Sequence, residues 1–269
     1  MTEEGERRQA VFLDFSGVCG QEDSEDISGS LPGDGWVKKM FDLTGMGGTE
    51  MYCSQEAEKA LTDLCAQTGP GGIHFIDNGN YHYMSEIFMS RIRRPFSLLL
   101  LDNHTDMQRP AFEGLLSCGS WAGRALSENR CLRQAVLIGP SDEGLLDVDP
   151  AAGRSDLIRV RREEAADILA GRMNACLQGI KRDLPLYISV DKDVLDSRYV
   201  KTNWDQGIMS PEQLSALLRY FSEGRELIGA DICGGLTREE LFRMPGAQEQ
   251  NRQIDCMLSQ IIGEMISTS

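Results

Sequence analysis

Hydrophobic positions along the chain fall into short aliphatic runs separated by longer amphipathic ones. Ala10–Phe15, Ile73–Ile76, Leu98–Leu101 with Phe96 just before it, Ala135–Gly139, Leu157–Val160, Leu184–Val190 and Leu227–Ile232 have the pattern of short, mostly buried strands. Between them, Ser54–Cys65 reads as an amphipathic helix, with Ser54 as N-cap and apolar residues at Ala60, Leu61, Leu64 and Cys65. Further helices are predicted over residues 85 to 94, from the Cys118–Gly123 loop to near Glu128, over Arg162–Leu177, from Ser210-Pro211 onward, and over about Gln248 to Ile266. Residues 16 to 34, rich in Gly, Ser, Asp and Glu, read as a surface loop, and Met1–Arg8 as a frayed terminus. Strands alternating with helices, without internal repeats, predict an α/β fold with a mostly parallel sheet covered on both faces.

The strand ends carry the chemistry. Leu98–Leu101 runs into Asp102-Asn-His-Thr-Asp106, and Leu184–Val190 runs into Asp191-Lys-Asp193. Alternate residues of an extended segment point the same way, so Asp102, His104 and Asp106 can face one point, as can Asp191 and Asp193. One such cluster alone is as readily a turn as a ligand set, because Asp and Asn are favoured in turns. Two buried strands that both end in alternating carboxylates are harder to explain that way, since unpaired carboxylates held together repel. A divalent cation between them removes that cost. A third strand, Ile73–Ile76, leads through Asp77 and Gly79 to His82, which occupies the same kind of position. Gly79 would let the backbone approach a ligand. His74, inside that strand, reads as a structural residue. In a wound parallel sheet such strand ends share one edge, where sites form.

Composition narrows the classes. A chain of 269 residues with 41% hydrophobic content can build a substantial core, and a single domain over residues 1–269 is expected. The net charge of −15 argues against a nucleic-acid surface and against adhesion to anionic membrane, while remaining compatible with a cationic substrate. Eight cysteines are scattered without a C-x-x-C pair, nothing at the start reads as a signal peptide, and no apolar run is long enough to span a bilayer. Reduced thiols in a cytoplasm are the expected state.

The motifs resemble a known set. Gly79-Asn-Tyr-His82, Asp102-Asn-His-Thr-Asp106 and Ser189-Val-Asp-Lys-Asp-Val-Leu-Asp196 are similar, in order and approximate spacing, to the three metal motifs of the ureohydrolase superfamily of arginases, agmatinases and formimidoylglutamases. The resemblance spans residues 79 to 196 and implies a three-layer α/β/α sandwich with a mostly parallel, about eight-stranded sheet and a binuclear Mn²⁺ site. Carried over by position, His82, Asp102, Asp106 and Asp191 would hold one or both ions, and His104 and Asp193 would complete the second. Two imidazoles and four carboxylates are independently an oxygen-rich set, suited to Mn²⁺ or another hard dication rather than to structural Zn²⁺. Two such ions can bring the pKa of a shared water from about 15.7 toward neutrality, and Asp106 would orient the resulting hydroxide. The implied reaction is hydrolysis of a C–N bond in a guanidino, amidino or related compound. A homo-oligomer is implied as well.

The expected substrate shell departs from this pattern. The arginase loop that carries a proton-shuttling histidine corresponds to Ser120-Trp-Ala-Gly123, which has none. The glutamate that grips the guanidinium group would fall within Asp231-Ile-Cys-Gly-Gly235, where Gly234 and Gly235 are expected to open space for a larger or peptide-linked substrate. Asn80, Tyr83, Trp204 and Asp205 are the candidate substrate contacts, with Asp77 beside them. Two other readings stay open. One is a deacetylase-like amide hydrolase, against which His82 and Asp193 speak. The other is a catalytically silent metal-binding or regulatory homologue, which the missing histidine and glutamate favour.

Overall fold

The computed structural model describes residues 8–268, apart from 113, 147, 150–155, 173–176 and 245. Along these residues the strands are β1 (Gln9–Asp14), β2 (Val37–Asp42), β3 (Tyr52–Cys53), β4 (Gly72–Ile76), β5 (Phe96–Leu101), β6 (Leu116–Ser117), β7 (Leu132–Ile138), β8 (Leu157–Val160), β9 (Leu186–Asp191) and β10 (Leu227–Cys233). Eight of them form one sheet in the order β2-β1-β4-β10-β9-β5-β7-β8, with every pairing parallel. β3 and β6 form a separate antiparallel pair. The helices are α1 (Gln21–Gly29), α2 (Gln55–Cys65), α3 (Met84–Met89), α4 (Trp121–Glu128), α5 (Asp142–Leu146), α6 (Ala165–Leu169), α7 (Pro211–Ser222), α8 (Arg238–Arg243) and α9 (Ala247–Thr268).

The aliphatic run of β5 explains the three layers. Leu99 and Leu101 join one apolar cluster with residues of α7 and α9, while Leu98 and Leu100 join the other with residues of α2, α3 and α4. With a side-chain period of two, an unbroken run of leucines serves both faces of a covered sheet. The central strands β4, β10, β9 and β5 are neighbours, so their carboxyl ends bring Asp77, Cys233, Asp191 and Asp102 to one stretch of the sheet edge.

Several local expectations need correction. Residues 16 to 34 are not simply a loop, since α1 lies within them. Only Ser24 and Ile27 of that helix are buried, so it shows almost no apolar period. β2 was not predicted because Val37-Lys-Lys-Met-Phe-Asp42 is an exposed edge strand bearing two lysines, a common defence of a sheet edge. The helix expected over 85–94 is α3, which ends earlier, at Met89 with Ser90 as C-cap. The helix expected over Arg162–Leu177 is a 3₁₀ turn at Arg162–Glu164 followed by α6, and Gly171 leaves it with a left-handed φ of 70°. Positions 173–176 of that expectation, and residues 1–7, lie outside the described residues. Among the described residues no helix is long and apolar enough to cross a membrane, and the cysteines are free thiols.

α3, which follows His82, is tied to α2 and α4 through Arg124. Its guanidinium bonds Glu58 and approaches Glu86 at 3.6 Å and Glu128 at 3.5 Å. Burial pushes the Glu86 carboxyl up to about 7, against the opposing pull of Arg124, with Glu58 and Glu128 adding to the rise. A carboxyl whose pKa is raised on folding makes the folded state the stronger proton binder. Stability is therefore highest below the unfolded pKa and falls as pH rises through the folded one. Glu86→Gln should flatten the decline of Tm between about pH 4.5 and 7 and stabilise the protein at pH 8 by about 1–2 kcal/mol. An unchanged slope in calorimetric scans would assign the decline to other groups.

Candidate metal centre

His82 and His104 approach two sets of carboxylates that share Asp102. His82 Nδ1 lies 3.3 Å from Asp102 Oδ2, 3.0 Å from Asp106 Oδ2 and 3.4 Å from Asp191 Oδ2. His104 Nδ1 lies 2.8 Å from Asp193 Oδ2 and 3.6 Å from Asp102 Oδ1. The ligand atoms of His82, Asp102 and Asp106 fall within 4.8 Å of one another, and so do those of Asp102, His104 and Asp193. Asp102 thus belongs to both groups, turning one oxygen to each. His82, Asp191 and Cys233 make a third grouping, but burial holds the Cys233 thiol well above its usual range and its Sγ donates to Asn78 O at 3.4 Å. A protonated thiol is a poor ligand.

The local sequence builds this set from short-range bonds. The main-chain N–H of His104 donates to Asp102 Oδ1 at 2.6 Å and that of Asp193 to Asp191 Oδ1 at 2.9 Å, a two-residue Asx geometry at each strand end. Asn103 N donates to Asp193 Oδ1 at 2.9 Å, joining β5 to β9. His82 Nε2 meets Ser189 Oγ at 2.9 Å, and Ser85 Oγ meets the same hydroxyl at 3.1 Å, which fixes the ring and turns Nδ1 to the acids. Asp106 has a left-handed φ of 50°, uncommon for a residue other than glycine. Its carbonyl accepts from Ala122 N and Gly123 N in the first turn of α4 at 2.9 and 3.2 Å, which pins that conformation.

Electrostatics make the need for cations explicit. All four aspartates are buried, at most 6% exposed, and among the described residues no Lys or Arg pairs with them. Burial, followed by repulsion from Asp102, pushes Asp106 up to about 7; burial also raises Asp191, and burial together with Asp191 and Asp102 puts Asp193 well above its usual value. Asp102 alone is lowered, because bonds from His104 and His82 outweigh its burial. The same bonds act in reverse on the imidazoles. Burial opposes their protonation, yet Asp102 and Asp193 push His104 up to about 12, and Asp102 and Asp106 raise His82 far above its usual value. Four acids against two imidazoles, with hard oxygen donors in the majority, fit one or two divalent cations by the chemistry of the donor set.

Around the cluster a cleft with about 360 Å³ of empty space is lined by the six residues together with Gly79, Gln108, Cys118, Gly119 and Trp204. Trp204 is the expected substrate contact that the structure brings to this cleft. Its indole N–H donates to Asn80 Oδ1 at 2.9 Å, and its ring meets His104 edge-on at 5.7 Å. A side chain at Gly79 would stand 2.5 Å from Trp204 Cδ1, so the glycine admits the tryptophan. Asn80 does not line the cleft. It latches the 203–204 loop by also accepting from Asn203 Nδ2 at 2.9 Å. Tyr83 is fully buried with its hydroxyl donating to Thr49 O, and Asp205 is exposed with its carbonyl accepting from Asn103 Nδ2; neither reaches the cleft. Asp77 faces away, its carboxylate accepting from Phe15 N, Ser16 N, Ser16 Oγ and Asn78 N. His74 pairs with Asp231 at 2.8 Å inside the core, as its place within a strand predicts.

Two features were missed in the sequence. Trp121, in the loop that lacks a histidine, donates its indole N–H to Asp106 Oδ2 and tilts over His82 at 4.9 Å. Its place one residue after Ser120 in that loop was the available signal. Gly234 does not open space as expected. A Cβ there would lie 2.3 Å from Asp191 Oδ1, and its φ is 92°, so the glycine lets β10 close against the cluster. Gly235 has room, but faces a different cavity.

Comparison with known proteins adds a family. The model of the arginase family matches residues 37–234. An uncharacterised protein of Thermotoga maritima is 30% identical over 183 residues, which are 68% of this chain and 66% of that protein, so the match spans about two thirds of the relative's length. A hypothetical agmatinase from Burkholderia thailandensis superposes with a TM-score of 0.65 over 95% of this chain and 85% of its own, at 14% identity. A formiminoglutamase of Trypanosoma cruzi, solved with Mn²⁺, superposes with a TM-score of 0.60 over 98% of this chain and 96% of its own, at 13% identity. At these identities the structural likeness is one of fold.

Because Asp102 serves both groups, Asp102→Ala should abolish binding of divalent cations measured by elemental analysis after dialysis. Asp193→Ala removes a member of one group and should leave partial loading. Trp121→Phe keeps every ligand and loses the bond to Asp106, so it should retain metal but bind it roughly 10–100-fold more weakly, the usual cost of losing an outer-shell partner. Full loading of Asp102→Ala would disprove the shared role of that carboxylate.

Proposed function

This chain belongs to the arginase family, and from that premise we propose that it is a hydrolase of linear C–N bonds in guanidino, amidino or related compounds, working with two Mn²⁺ per chain. The observation that carries the reading is the double grouping around Asp102, in which two imidazoles and three buried carboxylates make two adjoining ligand sets, with Asp191 Oδ2 3.4 Å from His82 beside the first. His82, Asp102, Asp106 and Asp191 would hold one ion, with His104, Asp193 and the second oxygen of Asp102 holding the other. Ions bound there supply Lewis acidity and activate water near neutral pH.

The chain's own residues do the rest. Asp106, held by the Trp121 indole N–H and by its left-handed backbone, would accept a hydrogen bond from the attacking water and orient it. No histidine beyond the two ligands lines the cleft, so the proton that the water gives up passes to the departing nitrogen as the C–N bond breaks without a histidine shuttle. Trp204, whose indole N–H is held by Asn80, forms a wall of the cleft.

Substrate choice follows from the neutral part of the lining. Gly79, Gln108, Cys118, Gly119 and Trp204 provide no carboxylate beyond the proposed ligands, and burial pushes the Cys118 thiol up to about 12, where it stays neutral. A guanidinium that relied on a separate carboxylate would be desolvated without a partner. A compact amidino compound or an internally neutralised one fits better than arginine. The Mn²⁺-loaded protein should therefore release ammonia or urea from a member of a guanidino and amidino panel, while free L-arginine is turned over with kcat/KM below about 10⁴ M⁻¹s⁻¹. Efficient urea release from arginine would overturn the substrate reading. Full metal loading with no turnover of any panel member would overturn the hydrolase reading.

A further inference from the structure

A second cavity, with about 650 Å³ of empty space including its mouth, lies at the same sheet edge and shares no lining residue with the metal cleft. The carboxyl ends of β1, β4 and β10 floor it, and α1, α8 and α9 contribute to its walls. Phe12 and Phe75, stacked at 4.5 Å, lie on the apolar side with Ile232 and Leu236. Lys192 joins the two sites: its side chain lines this cavity while Asp191 and Asp193, on either side of it in sequence, face the metal cluster.

The charged groups of the lining do not balance. Asp77 is spent on the 15–16 loop, and Arg252 is held by Asp26 and Glu249 at the mouth. What remains is Lys192, bonded to both oxygens of Asp255 at 2.7 and 2.9 Å, and Asp23, which accepts from Gln248 Nε2 at 2.6 Å and meets no cation among the described residues. The Cys19 thiol in the same lining reports the resulting field. Burial first, and then Asp14, Asp255, Asp23 and Asp77, push it up to about 12, so it stays protonated. A cavity with an apolar floor and one carboxylate in excess discriminates by charge, since an anion would be desolvated beside Asp23 without a partner, whereas a cation would find a partner in Asp23.

We propose that this cavity is a second ligand site, taking a small organic cation: a primary ammonium or amidinium on a short apolar body, with its charge between Asp23 and Asp255 and its body against Phe12, Phe75 and Leu236. The site stands apart from the proposed hydrolysis, and its occupancy is read without turnover. Benzylamine and phenylacetate, alike in size and opposite in charge, are the probes, measured by calorimetry on the metal-loaded protein. The variants Asp23→Asn and Leu241→Trp report the location. Benzylammonium should bind at least about tenfold more tightly than phenylacetate. Asp23→Asn, at the partly exposed margin, should weaken benzylammonium about tenfold while leaving metal content unchanged. Leu241→Trp, which fills the cavity, should abolish binding. Equal affinity for the two probes, undiminished binding to Leu241→Trp, or no binding up to about 10 mM would each overturn the proposal.

Discussion

Four buried carboxylates that converge at the ends of β5 and β9, with no lysine or arginine among the described residues paired to them, set the terms for the rest of this molecule. Such a cluster is strongly unfavourable unless positive charge is supplied, because burial and mutual repulsion act in the same direction. The fold contributes main-chain amides, from His104 to Asp102, from Asn103 to Asp193 and from Asp193 to Asp191. Two imidazoles contribute further, and the strong upward push on both of them expresses how much positive charge the acids demand. Protons can meet that demand in part. Divalent cations meet it fully, which is why the donor set reads as a metal centre.

The surroundings hold the cluster in this geometry by close packing rather than by flexibility. Gly234 lets β10 press its backbone against Asp191, and Gly79 lets Trp204 close over His104. Trp121 anchors Asp106 through its indole N–H. Around the ligands the cleft lining adds neither a carboxylate nor a titratable ring, and the negative cavity behind Lys192 is the place at this edge where an organic cation finds unspent charge.

Much of this was readable in the sequence because the relevant signals are local. Aliphatic runs marked seven of the eight sheet strands, and a parallel sheet places strand ends on one edge, so alternating carboxylates after β5 and β9 had to converge. Ser54 and the Ser210-Pro211 pair marked their helix starts as N-caps should. The elements that escaped are those whose signals are long-range or weak. β2 is an edge strand with exposed lysines, and α1 buries two residues. The roles of Trp121 and Gly234 depend on what faces them across the fold, which spacing along the chain does not encode. Tyr83 was drawn to the cleft by its nearness to His82 in sequence, yet one residue around a helical start turns its hydroxyl to Thr49.

The central claim is that Asp102 divides its two oxygens between adjoining metal positions. Anomalous X-ray scattering at the manganese edge, from crystals grown with Mn²⁺, tests it directly. Two peaks are expected, one among His82, Asp102, Asp106 and Asp191 and the other among Asp102, His104 and Asp193, with Asp102 contacting both. A single peak, or two peaks that Asp102 does not join, would contradict it.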